Sequence, residues 1–124
     1  MDRLSPTRRR VLAGGALLAA LAVAAGAFGA HALRDALTAR ELGWWETATG
    51  YLLPHAVALI ALAAVPLSNT GLPAALLGGG ALLFAGALYM MALTGAAWLG
   101  AVAPLGGTAM IAGWLLLAWR SVRS

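Results

Sequence analysis

Four uninterrupted apolar segments, each about as long as a bilayer core is thick, constrain this chain more than any other feature. Residues 11–30 give 20 positions without a charge. Residues 47–66 give 20, with His55 as the one strongly polar side chain, 72–93 give 22 and 101–119 give 19. A hydrocarbon core of about 30 Å is crossed by roughly 20 helical residues rising 1.5 Å each. Every segment is therefore long enough to span. Strands are disfavoured: alanine, leucine and glycine dominate, β-branched residues are sparse, and no segment alternates apolar with polar. Of the 124 residues, 62 % are hydrophobic and 10 % charged, against roughly 45–50 % and 25 % in soluble domains. Such a chain cannot cover a water-facing surface. The predicted fold class is an all-α membrane protein, a single domain over residues 11–119 between tails at 1–10 and 120–124.

The connections are short, which predicts antiparallel neighbours and an up-down-up-down bundle of four transmembrane helices. Residues 34–46 form the longest connection. Residues 67–71 read Leu-Ser-Asn-Thr-Gly, a turn followed by Pro73 near a helix start. The eight basic residues are all arginine, and six of them lie at the chain ends. One side of the membrane would hold Arg3, Arg8, Arg9, Arg10, Arg120 and Arg123, the other Arg34 and Arg40. The positive-inside rule then puts both termini in the cytoplasm of a bacterial inner membrane. Trp44, Trp45 and Trp98 fall at the outer interface and Trp119 at the inner one, where an aromatic belt belongs. The net charge of +4 does not point to nucleic acid, because no basic stripe with interleaved aromatics occurs.

The start of the chain carries a decoy. Thr7-Arg8-Arg9-Arg10-Val11-Leu12 looks like a twin-arginine export signal, and Ala30-His31-Ala32 like a cleavage site. A signal core is about 7–15 apolar residues, whereas this run has 20, so it reads as a retained span. The first ten residues read as a mobile tail whose arginines favour an anionic leaflet.

Small residues recur at spacings that suit helix pairing. Gly15, Ala22 and Gly29 are seven apart, with Ala19 and Gly26 on the same face, and Gly79/Gly86 and Gly106/Gly113 repeat the interval. The triplet Gly78-Gly79-Gly80 reads as a place of close packing or a kink.

Several short motifs occur in order. They are Gly26-Ala27-Phe28-Gly29-Ala30-His31-Ala32-Leu33, then Trp45-Glu46-Thr47-Ala48 with Tyr51 and His55-Ala56, then Gly86-Ala87-Leu88-Tyr89, and finally Pro104-Leu105-Gly106-Gly107 with Ile111-Ala112-Gly113-Trp114. In that order and spacing the chain resembles the domain of unknown function 423 family, also called uncharacterised protein family 0382. These are small membrane proteins of bacteria, with a related transmembrane protein in eukaryotes. The resemblance runs from about Gly26 to Trp114 and implies a multi-pass membrane protein without supplying an activity. Where the family usually has glutamine after the tyrosine, this chain has Leu52, and Pro54 before His55 is a second departure. This chain therefore carries no amide at that place.

Polar side chains within the spans concentrate in one half of the membrane. From the expected orientation, His55 lies about 12 Å from the outer face, Tyr89 about 6 Å and Thr108 about 10 Å. Thr47, Tyr51 and His55 step by four along one helix face. The candidate cluster is therefore His31, Arg34, Glu46, Tyr51, His55, Tyr89 and Thr108. One reading makes it a small outward pocket with His55 deepest and Glu46 and Arg34 at its mouth, serving a small-molecule or proton binder or carrier. The other makes it a hydrogen-bond network that fixes helix register. The second is favoured, because a relay needs ionisable groups on both sides of the midplane and this chain has them on one.

Other chemistry is poorly supported. There is no cysteine, which removes disulfides, thiolate metal sites and a cysteine nucleophile. Glu46, His31 and His55 could barely make three zinc ligands, so no metal or cofactor is expected. No catalytic constellation or phosphate loop occurs. The sequence thus points to a structural or accessory membrane protein and not to an enzyme. Its partners would be the lipid bilayer and another membrane protein or a second copy.

Overall fold

The computed structural model describes residues 4–123, so Arg3 of the expected basic tail lies outside the described residues. Among the described residues the chain is helical throughout, with α1 (Pro6–His31), α2 (Ala39–Ala64), α3 (Gly71–Thr94) and α4 (Ala103–Arg123) joined by short connections. A 3-10 turn, Ala97–Ala101, precedes α4. All four helices are long and apolar enough to cross a membrane.

Local chemistry sets the helix ends. Ser5 caps α1 by accepting from the Arg8 N–H, and Pro6 occupies the first turn, where a missing N–H costs nothing. Residues 6–10, expected in the tail, are therefore helical. Thr38 and Glu41 form a reciprocal capping box that starts α2 at Ala39. Two turns of helix thus replace most of the connection expected over residues 34–46. Pro66 disfavours helical backbone at Val65, and α2 stops at Ala64. Gly95 ends α3 in a left-handed conformation, φ 72°, that costs glycine nothing.

Each helix packs on its chain neighbour. Gly15 in the first half of α1 lies against Ala56, Leu59 and Ile60 in the second half of α2, while Gly29 near the end of α1 lies against Trp45 near the start of α2. Gly15, Ala22 and Gly29 are the buried residues of α1, so the seven-residue stripe is its contact seam. Gly106 and Gly113 likewise face α3. The Gly79/Gly86 stripe is different: a Cβ at either would meet nothing within 4 Å. Gly80 makes the contact instead, with its backbone against that of Gly106. The triplet serves three directions within one unbroken helix: Gly78 receives Leu59 of α2, Gly79 faces open space and Gly80 admits α4.

The arrangement also departs from a closed bundle. Among the described residues α4 packs on α3 and comes within 8 Å, Cα to Cα, of neither α1 nor α2, and α1 meets α3 only slightly. The reason lies in the seams. α2 and α3 each bury residues toward two neighbours, whereas α1 and α4 bury only a few, mostly small, toward one. The central cluster is rich in alanine, with Ala22, Ala48, Ala81 and Ala85 around Leu52, Leu88 and Met110.

Candidate functional site

Two polar networks lie between the helices, and the sequence-predicted cluster divides among them and the surface. The first centres on His55, which α2 holds 9 % exposed. Pro54 before it has no N–H, so the Gly50 carbonyl loses its helical donor and this turn of α2 is weakened. Here the imidazole makes two bonds. Its Nδ1 lies 2.7 Å from the Tyr51 carbonyl oxygen, and the Trp114 indole N–H of α4 donates to its Nε2 at 3.0 Å. An indole nitrogen only donates. Nε2 must therefore accept, and the single proton of a neutral ring sits on Nδ1 and donates to Tyr51. The tautomer follows from the partner.

Aromatic rings surround this bond. Trp114 meets His55 edge-on at 5.7 Å between centroids, Tyr51 stacks on it at 6.5 Å, and Tyr51 leans on Phe84 of α3 at 4.8 Å. The network thereby ties α2 to α4 across α3, although the two backbones stay apart.

The second network joins α1, α2 and α3. Trp45 is 7 % exposed and donates its indole N–H to the Ala25 carbonyl of α1 at 2.7 Å. Its ring lies 4.4 Å from that of Tyr89, whose hydroxyl is 2.6 Å from Thr49 Oγ1. Gly29 makes this possible, since a Cβ there would fall 2.5 Å from the indole. Trp45 is therefore an internal brace and not a member of the interfacial belt expected from its position. Trp98 and Trp119 are largely exposed, and Trp44 and Trp119 carry the guanidinium groups of Arg40 and Arg123 over their rings.

Of the seven candidate residues, the structure brings Tyr51 and His55 together. Tyr89 belongs to the Trp45 network. Thr108 is exposed and bonds back to the Pro104 carbonyl of its own helix, as Thr47 does to Gly43. His31, Arg34 and Glu46 are exposed, at the end of α1, in the following turn and early in α2. Trp114, Trp45 and Thr49 were absent from the candidate cluster. Leu52, at the place of the family's glutamine, is 1 % exposed in the central apolar cluster.

Two arginines assigned only to topology also do specific work. Arg8 donates to the carbonyls of Ala63, Val65 and Leu67 at 2.9, 2.6 and 2.6 Å, closing the carboxyl end of α2. Arg120 donates to the carbonyl of Asn69, the residue with φ 56° in the α2–α3 turn. Both chain ends thus clamp one connection. Charged donors suit the negative end of a helix dipole.

Comparison with known proteins accords with this architecture. Residues 25–107 match the model of the family described as protein of unknown function DUF423. A UPF0382 membrane protein of Staphylococcus saprophyticus is 42 % identical over 83 % of this chain and 88 % of its own length. The UPF0382 membrane protein YwdK of Bacillus subtilis is 36 % identical over 88 % and 93 %. The UPF0382 inner membrane protein YgdD of Escherichia coli K12 is 34 % identical over 94 % and 92 %. No solved structure matches the chain.

Proposed function

The chain belongs to the DUF423 family, and from that premise we propose an inner-membrane protein of structural or accessory type, acting through contacts with lipid or with another membrane protein. Four helices able to span a bilayer and a relative named as an inner membrane protein support that location. In this reading the helices run antiparallel, up-down-up-down, with both termini in the cytoplasm. Support comes from the contact order, in which early α1 meets late α2 and late α1 meets early α2. Arginine placement supports the same orientation: Arg8, Arg9, Arg10, Arg120 and Arg123 lie at one end of the helices, Arg34 and Arg40 at the other.

The observation that carries the functional reading is the state of His55. Both ring nitrogens are engaged, one by a backbone carbonyl and one by an indole. Binding a proton or ligand at Nε2 would displace Trp114 and release α2 from α4. A group arranged in this way holds helices together, and the reading assigns the chain no catalytic step.

Reconstituted vesicles test it. Under an imposed pH gradient, vesicles containing the full chain are expected to take up protons no faster than protein-free ones, with His55→Gln indistinguishable from wild type. A proton flux that the chain induces and His55→Gln abolishes would overturn the structural reading in favour of a carrier.

A further inference from the structure

At the arginine-rich end, α1 and α3 border a groove of about 540 Å³, lined by Leu59 of α2 and by Val11, Leu18, Ala74 and Leu82. Gly14 and Gly79 also line it. A Cβ at either would meet nothing within 4 Å, so neither glycine serves helix packing. A glycine inside a helix costs about 1 kcal/mol relative to alanine, and the structural result of these two is the width of the groove. The lining runs from Thr7 to Leu18 on α1 and from Gly71 to Leu82 on α3. Each stretch rises about 16 Å, which is the depth of one leaflet of a core about 30 Å thick.

At its end the groove meets a polar recess of about 490 Å³, and Thr7 and Gly71 line both. The recess is suited to an anion on three counts. α3 starts there without a side-chain cap, which leaves the Gly71 and Leu72 N–H groups without a side-chain partner, while Pro73 has no N–H and Ala74 donates to the Thr70 carbonyl. Thr70, which lines the recess, is 5 % exposed, and its hydroxyl has no partner among the described residues. Arg10 lines the groove and likewise has no partner among the described residues, while Arg8 beside the recess adds a fixed positive charge.

We propose that this compound groove binds one anionic phospholipid, with an acyl chain between α1 and α3 and the phosphate at the start of α3 near Arg10 and Thr70. The inference rests on the reading that the chain acts through contacts within the membrane, and it names one such contact. Hydrocarbon fits the apolar length, and the charge of the mouth selects the headgroup.

The test is native mass spectrometry of the full chain from bilayers of equal phosphatidylglycerol and phosphatidylcholine. One phosphatidylglycerol per chain is expected to be retained in preference to phosphatidylcholine. Arg10→Gln should reduce that preference about fivefold, as for one arginine beside an anionic headgroup, and Thr70→Val should reduce it further. Gly79→Leu fills open space and should fold with an unchanged helical spectrum while losing retained lipid of either kind. Equal retention of the two lipids by wild type would overturn the proposal. So would unchanged retention in Gly79→Leu, or a dimer that Gly79→Leu dissolves, which would make the occupant a second copy. Each of these outcomes leaves the vesicle proton measurement untouched, so failure here is distinct from failure of the wider reading.

Discussion

At the scale of single residues, the decisive feature is a set of three side-chain hydrogen bonds that cross between helices. Trp114 to His55 joins α4 to α2, Trp45 to Ala25 joins α2 to α1, and Tyr89 with Thr49 joins α3 to α2. Interhelical hydrogen bonds of this kind contribute about 0.6–2 kcal/mol in membranes. Trp114→Phe keeps an aromatic ring, though a smaller one, and removes the donor, leaving Nε2 of a 9 % exposed histidine unpaired. Trp114→Phe, His55→Leu and the double variant, unfolded in detergent, are expected to show a coupling of about 0.6–1.7 kcal/mol. Strict additivity would mean the bond contributes nothing. The sequence makes His55 and Tyr51 legible because a single polar residue in an apolar span must find a partner. It does not reveal Trp114. Depth along a helix places Tyr89 and Thr108 in the same half of the membrane as His55, but depth says nothing about direction around the axis. Trp45 misleads for a related reason: a tryptophan near a helix end fits a belt and a brace equally well, and Gly29 opposite decides.

At the scale of helices, the bare backbones of a few glycines set which pairs approach. A Cβ at Gly106 would fall 2.5 Å from the Gly80 carbonyl oxygen and from the Phe84 amide nitrogen. Backbone atoms cannot yield as a flexible side chain can, so Gly106→Ala must push α4 off α3. A loss of about 1–3 kcal/mol is expected, read as a lower unfolding midpoint in detergent. Gly86→Ala serves as the control, since its Cβ meets nothing within 4 Å, and its midpoint should not fall. Equal effects of the two would contradict this assignment of seams. The periodicity makes the α1 and α4 seams legible, because those helices face one neighbour each. It misassigns α3, which faces α2 and α4 at once, so no single seven-residue stripe describes it. Element ends diverge from the apolar runs for a simple reason. Hydropathy marks what lies in hydrocarbon, whereas Ser5, Thr38 and Glu41 start helices that continue beyond it.

At the scale of the whole molecule, four helices stand in an open series, with α4 tied to α2 through Trp114 and both outer helices clamped by arginine to the α2–α3 connection. Arg8 and Arg120, from the two ends of the chain, close on the same α2–α3 turn. This turn should therefore lie on the same side of the membrane as both termini. Single cysteines placed at Ser5, Ser68 and Ser121 in this cysteine-free chain are expected to resist a membrane-impermeant thiol reagent in intact cells and to react after lysis. A cysteine at Asp35 should react in intact cells, and the reverse pattern would invert the proposed orientation. The central claim is that the deepest polar group of this protein is a neutral structural tie. The most direct measurement of that claim is the ¹⁵N resonance pair of His55 in the full chain, held in lipid bilayers at neutral pH. The account requires a neutral ring protonated at Nδ1, with Nε2 accepting a hydrogen bond that Trp114→Phe removes. An imidazolium, or a ring protonated at Nε2, would contradict it, because neither can accept from the Trp114 indole.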